Sequence, residues 1–314
     1  MSYYIGVDGG GTKTAYALFD EKKNIVASYK GPGSNHENMA DSFNEAAAII
    51  WEGINGLLQG CGLSLSDVSF TLMGLAGIDH PFQEEEMRKR LEAYGLKNFA
   101  IYNDGFIVVM AGSVSGAAIG YNCGTGTCCN AIDSTGKMLQ LGGLSDFSGD
   151  IGNGHWIAIT AYRLIYDEVY LCLEKTALTQ KFYKEFGIEN REQFLESVAQ
   201  LSGENVETYI MRLIDFFFEA ANEGDMPVLK AVDAMAQRGA EMIAAHAKQL
   251  SFEEDEIEVV LSGSIHTKLP SDIYVDLLKQ KLEKMCNRKF KMIKLTNAPV
   301  IGCINWIFKQ YLDK

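Results

Sequence analysis

The sequence lacks most of the features that would assign it to a metal-binding, secreted or membrane class. Its seven cysteines include no C-x-x-C pair, which disfavours zinc and iron–sulfur sites. Their odd number favours reduced thiols. Its five histidines show no H-E-x-x-H spacing. No apolar run is long enough for a membrane helix, and no basic segment precedes an apolar one as in a signal peptide. We therefore expect a cytoplasmic protein that does not bind membranes.

Proline and positive charge are also scarce. Only five prolines occur, and no Pro/Gly/Ser-rich linker interrupts the chain, so any two domains should be closely joined. Lys and Arg number 28 against 41 Asp and Glu, a net charge of −13, which disfavours a nucleic-acid-binding surface. With 314 residues, of which 47% are hydrophobic, the chain can form two domains with sizeable cores.

A glycine-rich motif stands near the start, in the segment YYIGVDGGGTKTAYALF (residues 3–19). It is not a P-loop, because Lys13 comes one position late, and it is not a dinucleotide fingerprint, because residues 14–19 form a strand pattern rather than a helix. The pattern predicts a hairpin whose backbone N–H groups could form an anion-binding nest. Asp8 would face that nest, and a carboxylate beside phosphates predicts magnesium between them. An ordinary glycine hairpin with a turn aspartate is the alternative.

A similar motif follows about 115 residues later. Residues 117–133 read AAIGYNCGTGTCCNAID, again strand, glycine turn and strand, and a third short strand is predicted at residues 138–141. Two such hairpins predict two related lobes. After the first hairpin, helix and strand patterns alternate, which gives a βββαβα lobe of the α/β class. The second lobe carries a predicted helical insertion, roughly residues 154–250.

Asp104 is the strongest candidate for a catalytic base. It follows the predicted strand at residues 99–103 and opens a helix, and open α/β sheets place ligand-binding residues at such strand ends. A carboxylate there could take a proton from an alcohol that attacks a phosphoryl group. A capping role without chemistry is the alternative reading.

The ordered motifs DGGGTKT, SNH, NDG, CGTGT, GDIGNGHW and LSGSI resemble those of the N-acetylglucosamine kinases and the related BadF/BadG/BcrA/BcrD ATPases. These families belong to the superfamily of sugar kinases, actin and heat-shock ATPases. The resemblance implies a two-lobed actin-like ATPase fold of duplicated ribonuclease H-like domains. Residues 1–115, completed by the helix 299–314, would form the N-terminal lobe, and residues 116–298 the C-terminal lobe.

The resemblance also implies roles for individual residues, with ATP and Mg²⁺ as cofactors. Asp104 would be the catalytic base and contact the sugar, and Asp8 would bind magnesium through water. The implied nucleotide-binding residues are Gly10, Gly11, Thr12, Lys13, Gly124, Thr125, Gly126, Thr127, Gly263 and Ser264. The implied sugar-binding residues are Ser34, Asn35, His36 and Asp150. The family also allows a homodimer.

Two departures from the family pattern concern the sugar side. Ile151 stands where the family has a carboxylate that helps to hold the sugar. Leu144 belongs to an upstream segment in which the family pattern has a tryptophan region and this sequence differs. We expect a kinase that phosphorylates the 6-hydroxyl of N-acetylglucosamine, with N-acetylmuramate or glucosamine as alternative substrates. Alternatives from other classes are an ATPase that activates a partner redox enzyme and a sugar sensor without catalysis.

Overall fold

A computed structural model describes residues 2–203, 206–267 and 272–312. The first part of the chain contains β1 (Tyr3–Gly9), β2 (Lys13–Phe19), β3 (Ile25–Pro32), α1 (Ser42–Gly60), β4 (Val68–Leu75), α2 (Pro81–Ala93), β5 (Phe99–Tyr102) and α3 (Asp104–Gly112). Then follow β6 (Ala118–Cys123), β7 (Thr127–Ile132), β8 (Met138–Gly142), α4 (Gly154–Leu171), α5 (Ala177–Phe186), α6 (Arg191–Glu196), α7 (Val206–Asn222), α8 (Met226–Gln249), β9 (Glu256–Ser262), α9 (Ser264–Thr267), α10 (Ile273–Met285), β10 (Lys289–Lys294) and α11 (Ile301–Trp306). The predicted α/β class and the βββαβα order are confirmed.

Over the described residues, the strands form two five-stranded sheets with matching order. The first sheet runs β3-β2-β1-β4-β5 and the second β10-β9-β6-β7-β8, which is the same order read from the other edge. In the first sheet β1 pairs antiparallel with β2 and parallel with β4, and β4 pairs parallel with β5. The carboxyl ends of β1, β4 and β5 therefore meet at one edge of this sheet.

Contacts within the chain divide it into two compact units. Unit 1 consists of Met1–Gly120, Asn130–Met138 and Leu295–Lys314, and unit 2 of Tyr121–Cys129 and Leu139–Lys294. Within the described residues, no helix combines the length and the apolar character that crossing a bilayer requires.

The sheet of unit 1 has a hydrophobic core on each face. Successive residues of a strand point to opposite faces, so Ile5 of β1 joins the core that contains α1, while Tyr4 joins the core that contains α3 and α11. The buried side of α1 follows helical spacing, with Ala46, Ile50 and Ile54 among its fully buried residues. Burial of both faces explains why β1 is apolar along most of its length.

In unit 2 the long helix α8 packs closely on β6 and α10. Asp225 caps it by accepting a hydrogen bond from the N–H of Val228 at 3.1 Å. Its Gly239 lies so close to Tyr121 of β6 and Leu278 of α10 that an added Cβ would be 2.8 and 2.9 Å from their side chains. The absence of a side chain at Gly239 therefore allows α8 to pack closely on the sheet and on α10.

A single glycine allows the close approach of α11 and α3 in unit 1. A Cβ on Gly302 would overlap the carbonyl oxygen of Ile107, a backbone atom of a buried helix. We expect Gly302→Ala to lower the free energy of unfolding by about 1–3 kcal/mol, since the backbone must shift to admit the methyl group. Urea unfolding followed by circular dichroism measures this change.

The matched control is Gly56→Ala in α1, where an added Cβ meets nothing within 4 Å. This substitution should stabilise the protein by about 0.5–1 kcal/mol, because alanine has the higher helix propensity. Equal stability of Gly302→Ala and the wild type would contradict the packing described for α11.

Candidate active site

The first glycine loop connects β1 to β2 and is braced by the loop after β3. The N–H of Gly10 donates to the carbonyl of Lys13 at 3.0 Å, and the carbonyl of Gly10 accepts from the N–H of Ser34, also at 3.0 Å. The hydroxyl of Thr14 donates to that of the buried Ser34 at 2.9 Å. Gly11 and Thr12 remain exposed at the tip. The predicted phosphate loop is thus a fixed turn with an accessible tip.

The predicted sugar loop, residues 34–36, packs beside this turn. The side-chain oxygen of Asn35 accepts a hydrogen bond from the N–H of Glu37 at 3.0 Å, which starts a single helical turn. His36 is buried and stacks on Phe43 with ring centroids 3.9 Å apart. Burial lowers the pKa of His36, so its ring is neutral at pH 7. Its Nδ1 is buried and has no hydrogen-bond partner in the described part of the chain.

The loop after β4 approaches the same place. Gly77 has φ of +81°, and a Cβ there would overlap the side-chain oxygen of Asn35. Glycine is therefore required at this position for conformational and for steric reasons. The sugar loop is contacted by segments that follow two different strands.

Aspartates stand at the carboxyl ends of the three neighbouring parallel strands of unit 1. Asp8 is the penultimate residue of β1, Asp79 follows β4, and Asp104 follows β5 as the first residue of α3. Asn103 caps α3: its side-chain oxygen accepts from the N–H of Gly105 at 2.9 Å. Its Nδ2 donates to Oδ1 of Asp79 at 3.0 Å.

The pKa values of two of these carboxyls are raised towards neutrality. Burial raises the pKa of Asp8 to about 6, with the Lys13 ammonium acting in the opposite direction. Burial, together with the charges of Asp8 and Asp79, raises the pKa of Asp104 to about 7. Asp104 can therefore exchange a proton near neutral pH, as a general base must.

The second glycine loop, in unit 2, connects β6 to β7. The N–H of Gly124 donates to the carbonyl of Gly126 at 2.9 Å, and the carbonyl of Gly124 accepts from the N–H of Gly154 at the start of α4, also at 2.9 Å. The hydroxyl of Thr127 donates to the carbonyl of Ile151 at 3.3 Å. Thr125 and Gly126 are exposed. This loop is again a braced turn with an accessible tip.

The predicted adenosine turn lies against this second loop. Gly263 follows β9 with φ of +85°, and a Cβ there would overlap the carbonyl oxygen of Cys123. An added Cβ on Gly124 would lie 3.7 Å from the Cα of Gly263 and 4.0 Å from the nitrogen of Ser264. Two of the predicted nucleotide-binding segments are therefore adjacent within unit 2.

Asp150 is held in a buried position in the loop between β8 and α4. Its Oδ2 accepts a hydrogen bond from the N–H of Gly143 at 2.8 Å. Its Oδ1 is buried and has no hydrogen-bond partner within the described ranges. Arg238 of α8 donates to the carbonyls of Gly149, at 3.2 Å, and of Ser148. A buried acceptor without a partner is suited to receive a ligand hydroxyl.

The structure brings the predicted residues together in two sets. Unit 1 contains Asp8, the loop 10–13, the loop 34–36 and Asp104, and unit 2 contains the loop 124–127, Asp150 and the turn 263–264. In the part of the chain that the structure describes, no group of His, Cys, Asp and Glu side chains is arranged to hold a metal ion by itself.

Three residues of the candidate site, Asp79, Asn103 and Arg238, are absent from the residues predicted from the sequence. Asp79 follows the carboxyl end of the parallel strand β4, just as Asp104 follows that of β5, so the same sequence signal marks both residues. Asn103 precedes Asp104 and has the residue type of a helix cap. No local signal identifies Arg238, because it acts on carbonyls 89 and 90 positions away in the sequence.

The raised pKa of Asp104 predicts a dependence of stability on pH. Because its pKa rises from 3.8 to about 7 on folding, the wild type should lose stability as pH rises between these values. Asp104→Asn removes this loss, and we expect its free energy of unfolding at pH 8 to exceed that of the wild type by roughly 1–2 kcal/mol. This is less than the energy that corresponds to the full pKa shift at about 1.4 kcal/mol per pKa unit. Urea unfolding at pH 5 and pH 8 measures the difference; an advantage that does not grow with pH would contradict the burial of Asp104.

Two curated relatives and one solved structure are similar to nearly the whole chain. N-acetyl-D-glucosamine kinase of Dictyostelium discoideum is 26% identical over 293 residues, 89% of each chain. N-acetylmuramic acid/N-acetylglucosamine kinase of Clostridium acetobutylicum is 23% identical over 310 residues, 97% of each chain. A Chromobacterium violaceum structure, provisionally described as an N-acetylglucosamine kinase, has a TM-score of 0.67 at 21% identity, over 97% of this chain and 98% of that one.

The structural likeness confirms the predicted actin-like fold class. The family model of the BadF/BadG/BcrA/BcrD ATPases matches residues 5–304. Since this match spans nearly all of the 314 residues, the chain belongs to the BadF/BadG/BcrA/BcrD ATPase family.

Proposed function

We propose that this protein is an ATP-dependent amino-sugar kinase that transfers the γ-phosphoryl group of ATP to the 6-hydroxyl of N-acetylglucosamine. The observation that carries the proposal is Asp104, a carboxyl with a pKa of about 7 at the end of β5. It lies in the same unit as a braced glycine turn and the loop of Asn35 and His36. The amino-sugar kinases to which the chain is similar support the choice of acceptor.

Each set of residues has a separate task in this mechanism. Asp104 accepts the proton of the attacking hydroxyl, and the backbone N–H groups of the loops 10–13 and 124–127 stabilise phosphate oxygens. The turn 263–264 contacts adenosine. Ser34, Asn35, His36 and Asp150 bind sugar hydroxyls and the N-acetyl group, since amide and carboxylate oxygens match these donors. Residues 1–115 with 299–314, and residues 116–298, are the two lobes of the proposed enzyme.

The residues near the first loop fit a magnesium ion. Asp8 is a half-buried carboxyl whose pKa is raised to about 6, and a nearby cation would favour its charged form. Asp8 would hold the ion through water, since magnesium keeps several waters and takes few protein ligands. When bound, the ion neutralises charge on the phosphate oxygens.

The first test measures ADP release from magnesium-ATP with N-acetylglucosamine, N-acetylmuramate, glucosamine, glucose and no sugar. We expect release to require N-acetylglucosamine, and Asp104→Asn to reduce kcat by about 100- to 10,000-fold, since it cannot accept the proton. Phosphorus NMR of the product identifies the hydroxyl that is phosphorylated. Asp20→Asn, a substitution in an exposed turn, is the control and should keep full activity.

The outcomes separate the proposed function from its alternatives. Full turnover of Asp104→Asn would overturn the assigned base. A preference for N-acetylmuramate or glucosamine would keep the kinase and change its substrate. Steady ADP release without any sugar would favour an ATPase that acts on a partner protein.

The second test concerns magnesium. Removal of Mg²⁺ with EDTA should abolish sugar-dependent turnover, and added Mg²⁺ should restore it. We expect Asp8→Asn to raise the Mg²⁺ concentration for half-maximal activity by about 10- to 100-fold, the usual effect of losing an outer-shell partner. An unchanged Mg²⁺ dependence would contradict the role of Asp8, and Asp20→Asn again serves as control.

A further inference from the structure

The backbone of Asp79 is fixed by hydrogen bonds to Gln83, independently of the contacts of its side chain. The N–H groups of Asp79 and His80 both donate to the side-chain oxygen of Gln83, at 2.8 and 2.7 Å. Gln83 is buried and belongs to the first turn of α2, so this is a capping interaction that fixes the backbone of the turn. The Asp79 side chain therefore projects from a fixed backbone position near the carboxyl end of β4.

The contact with Asp79 fixes the donor end of the Asn103 amide. The amide has an oxygen that accepts and a nitrogen that donates, and its two ends could exchange places. A carboxylate on one side requires the donor end, and the N–H of Gly105 on the other side requires the acceptor end. Asn130 supports the same orientation by donating to the Asn103 oxygen at 3.3 Å.

Asn103 in turn controls the backbone of Asp104. Its oxygen caps the first turn of α3, in which Asp104 is the first residue. The turn has no room to shift towards β7, because a Cβ on Gly105 would already overlap the side-chain oxygen of Asn130. The position of the Asp104 carboxyl thus depends on a chain of contacts that begins at Asp79.

The charge of Asp79 also reaches Asp104. Burial is the largest cause of the raised pKa of Asp104, followed by the charge of Asp8 and then that of Asp79. Lys13 from β2 lowers the pKa of Asp8, while Asp79 acts on His36 in the loop after β3 and Asp8 acts on the Cys303 thiol in α11. Glu37 also acts on His36. Of the three aspartates, Asp79 is the exposed one.

We propose that Asp79 is a positioning residue that orients Asn103 and, through it, the Asp104 carboxyl for proton abstraction. The inference rests on the proposed function, because only there does Asp104 act as a base. Asp79 does not touch the reacting atoms in this scheme. It acts through one hydrogen bond and one charge, and two substitutions separate these contributions.

The kinetic test compares Asp79→Ala, Asp79→Asn and the wild type. Alanine removes both the hydrogen bond and the charge, and we expect kcat to fall about 10- to 100-fold, the effect of a small misplacement of a catalytic group. The KM for ATP should stay within about twofold, since no nucleotide contact changes. Asparagine keeps an acceptor for Asn103 and should lose less activity.

The chain offers a matched control at Asp20. Its Oδ2 accepts a hydrogen bond from Nδ2 of Asn24 at 2.9 Å, so it is an aspartate–asparagine pair of the same kind in an exposed turn. Asp20→Ala should leave kcat unchanged. In a double-mutant cycle, Asp79→Ala should cost little further activity when Asn103 is already alanine. Additive losses would overturn the route through Asn103.

A measurement without turnover separates this inference from the proposed function. NMR follows the titration of the Asp104 carboxyl through its carbon-13 chemical shift. The Asp104→Asn variant, which lacks this signal, assigns it. Loss of the Asp79 charge in Asp79→Asn should move this pKa downward from its wild-type value of about 7. An unchanged titration together with a wild-type kcat in Asp79→Ala overturns the inference. Failure of the proposed function would instead show as a wild type without sugar-dependent turnover, while the titration still tests Asp79.

Discussion

The placement of carboxyl groups at one edge of a parallel sheet is the constraint on which the rest of unit 1 depends. Because β1, β4 and β5 are parallel neighbours, the residues that follow them converge, and Asp8, Asp79 and Asp104 come together. Burial raises the pKa values of Asp8 and Asp104, and the charges of Asp8 and Asp79 add to the rise at Asp104. The same burial that costs stability, together with these charges, makes Asp104 able to take up a proton near pH 7.

The surrounding structure holds this unfavourable arrangement in place. The side chain of Asn103 accepts a hydrogen bond from the N–H of Gly105 in the first turn of α3, and the capped turn before α2 fixes the backbone of Asp79. On the far side of α3, α11 packs at a position where only glycine fits. A site with raised carboxyl pKa values is thus supported by contacts that reach well beyond the carboxyls themselves, a common feature of functional sites.

The two glycine loops follow one structural plan. Each connects two strands of a sheet, and the two sheets have the same strand order. Each loop also packs against a later segment through a glycine: Gly33 lies against the carbonyl of Gly11, and Gly263 against that of Cys123. Side chains at these positions would push the later segment away from the loop. The repeat seen in the sequence is therefore a repeat of architecture as well as of motif.

The amino-acid sequence by itself determined the α/β class, the order of the elements, the two glycine hairpins and the candidate base at Asp104. These follow from local patterns, since strand and helix periodicity and turn residues act over a few neighbours. Only the tertiary structure decided that Asp79 reaches Asn103, 24 positions away, and that Arg238 supports the loop of Asp150. Such contacts depend on how strands and helices pack in space, and the carboxyl pKa values depend on the burial and charges that this packing creates.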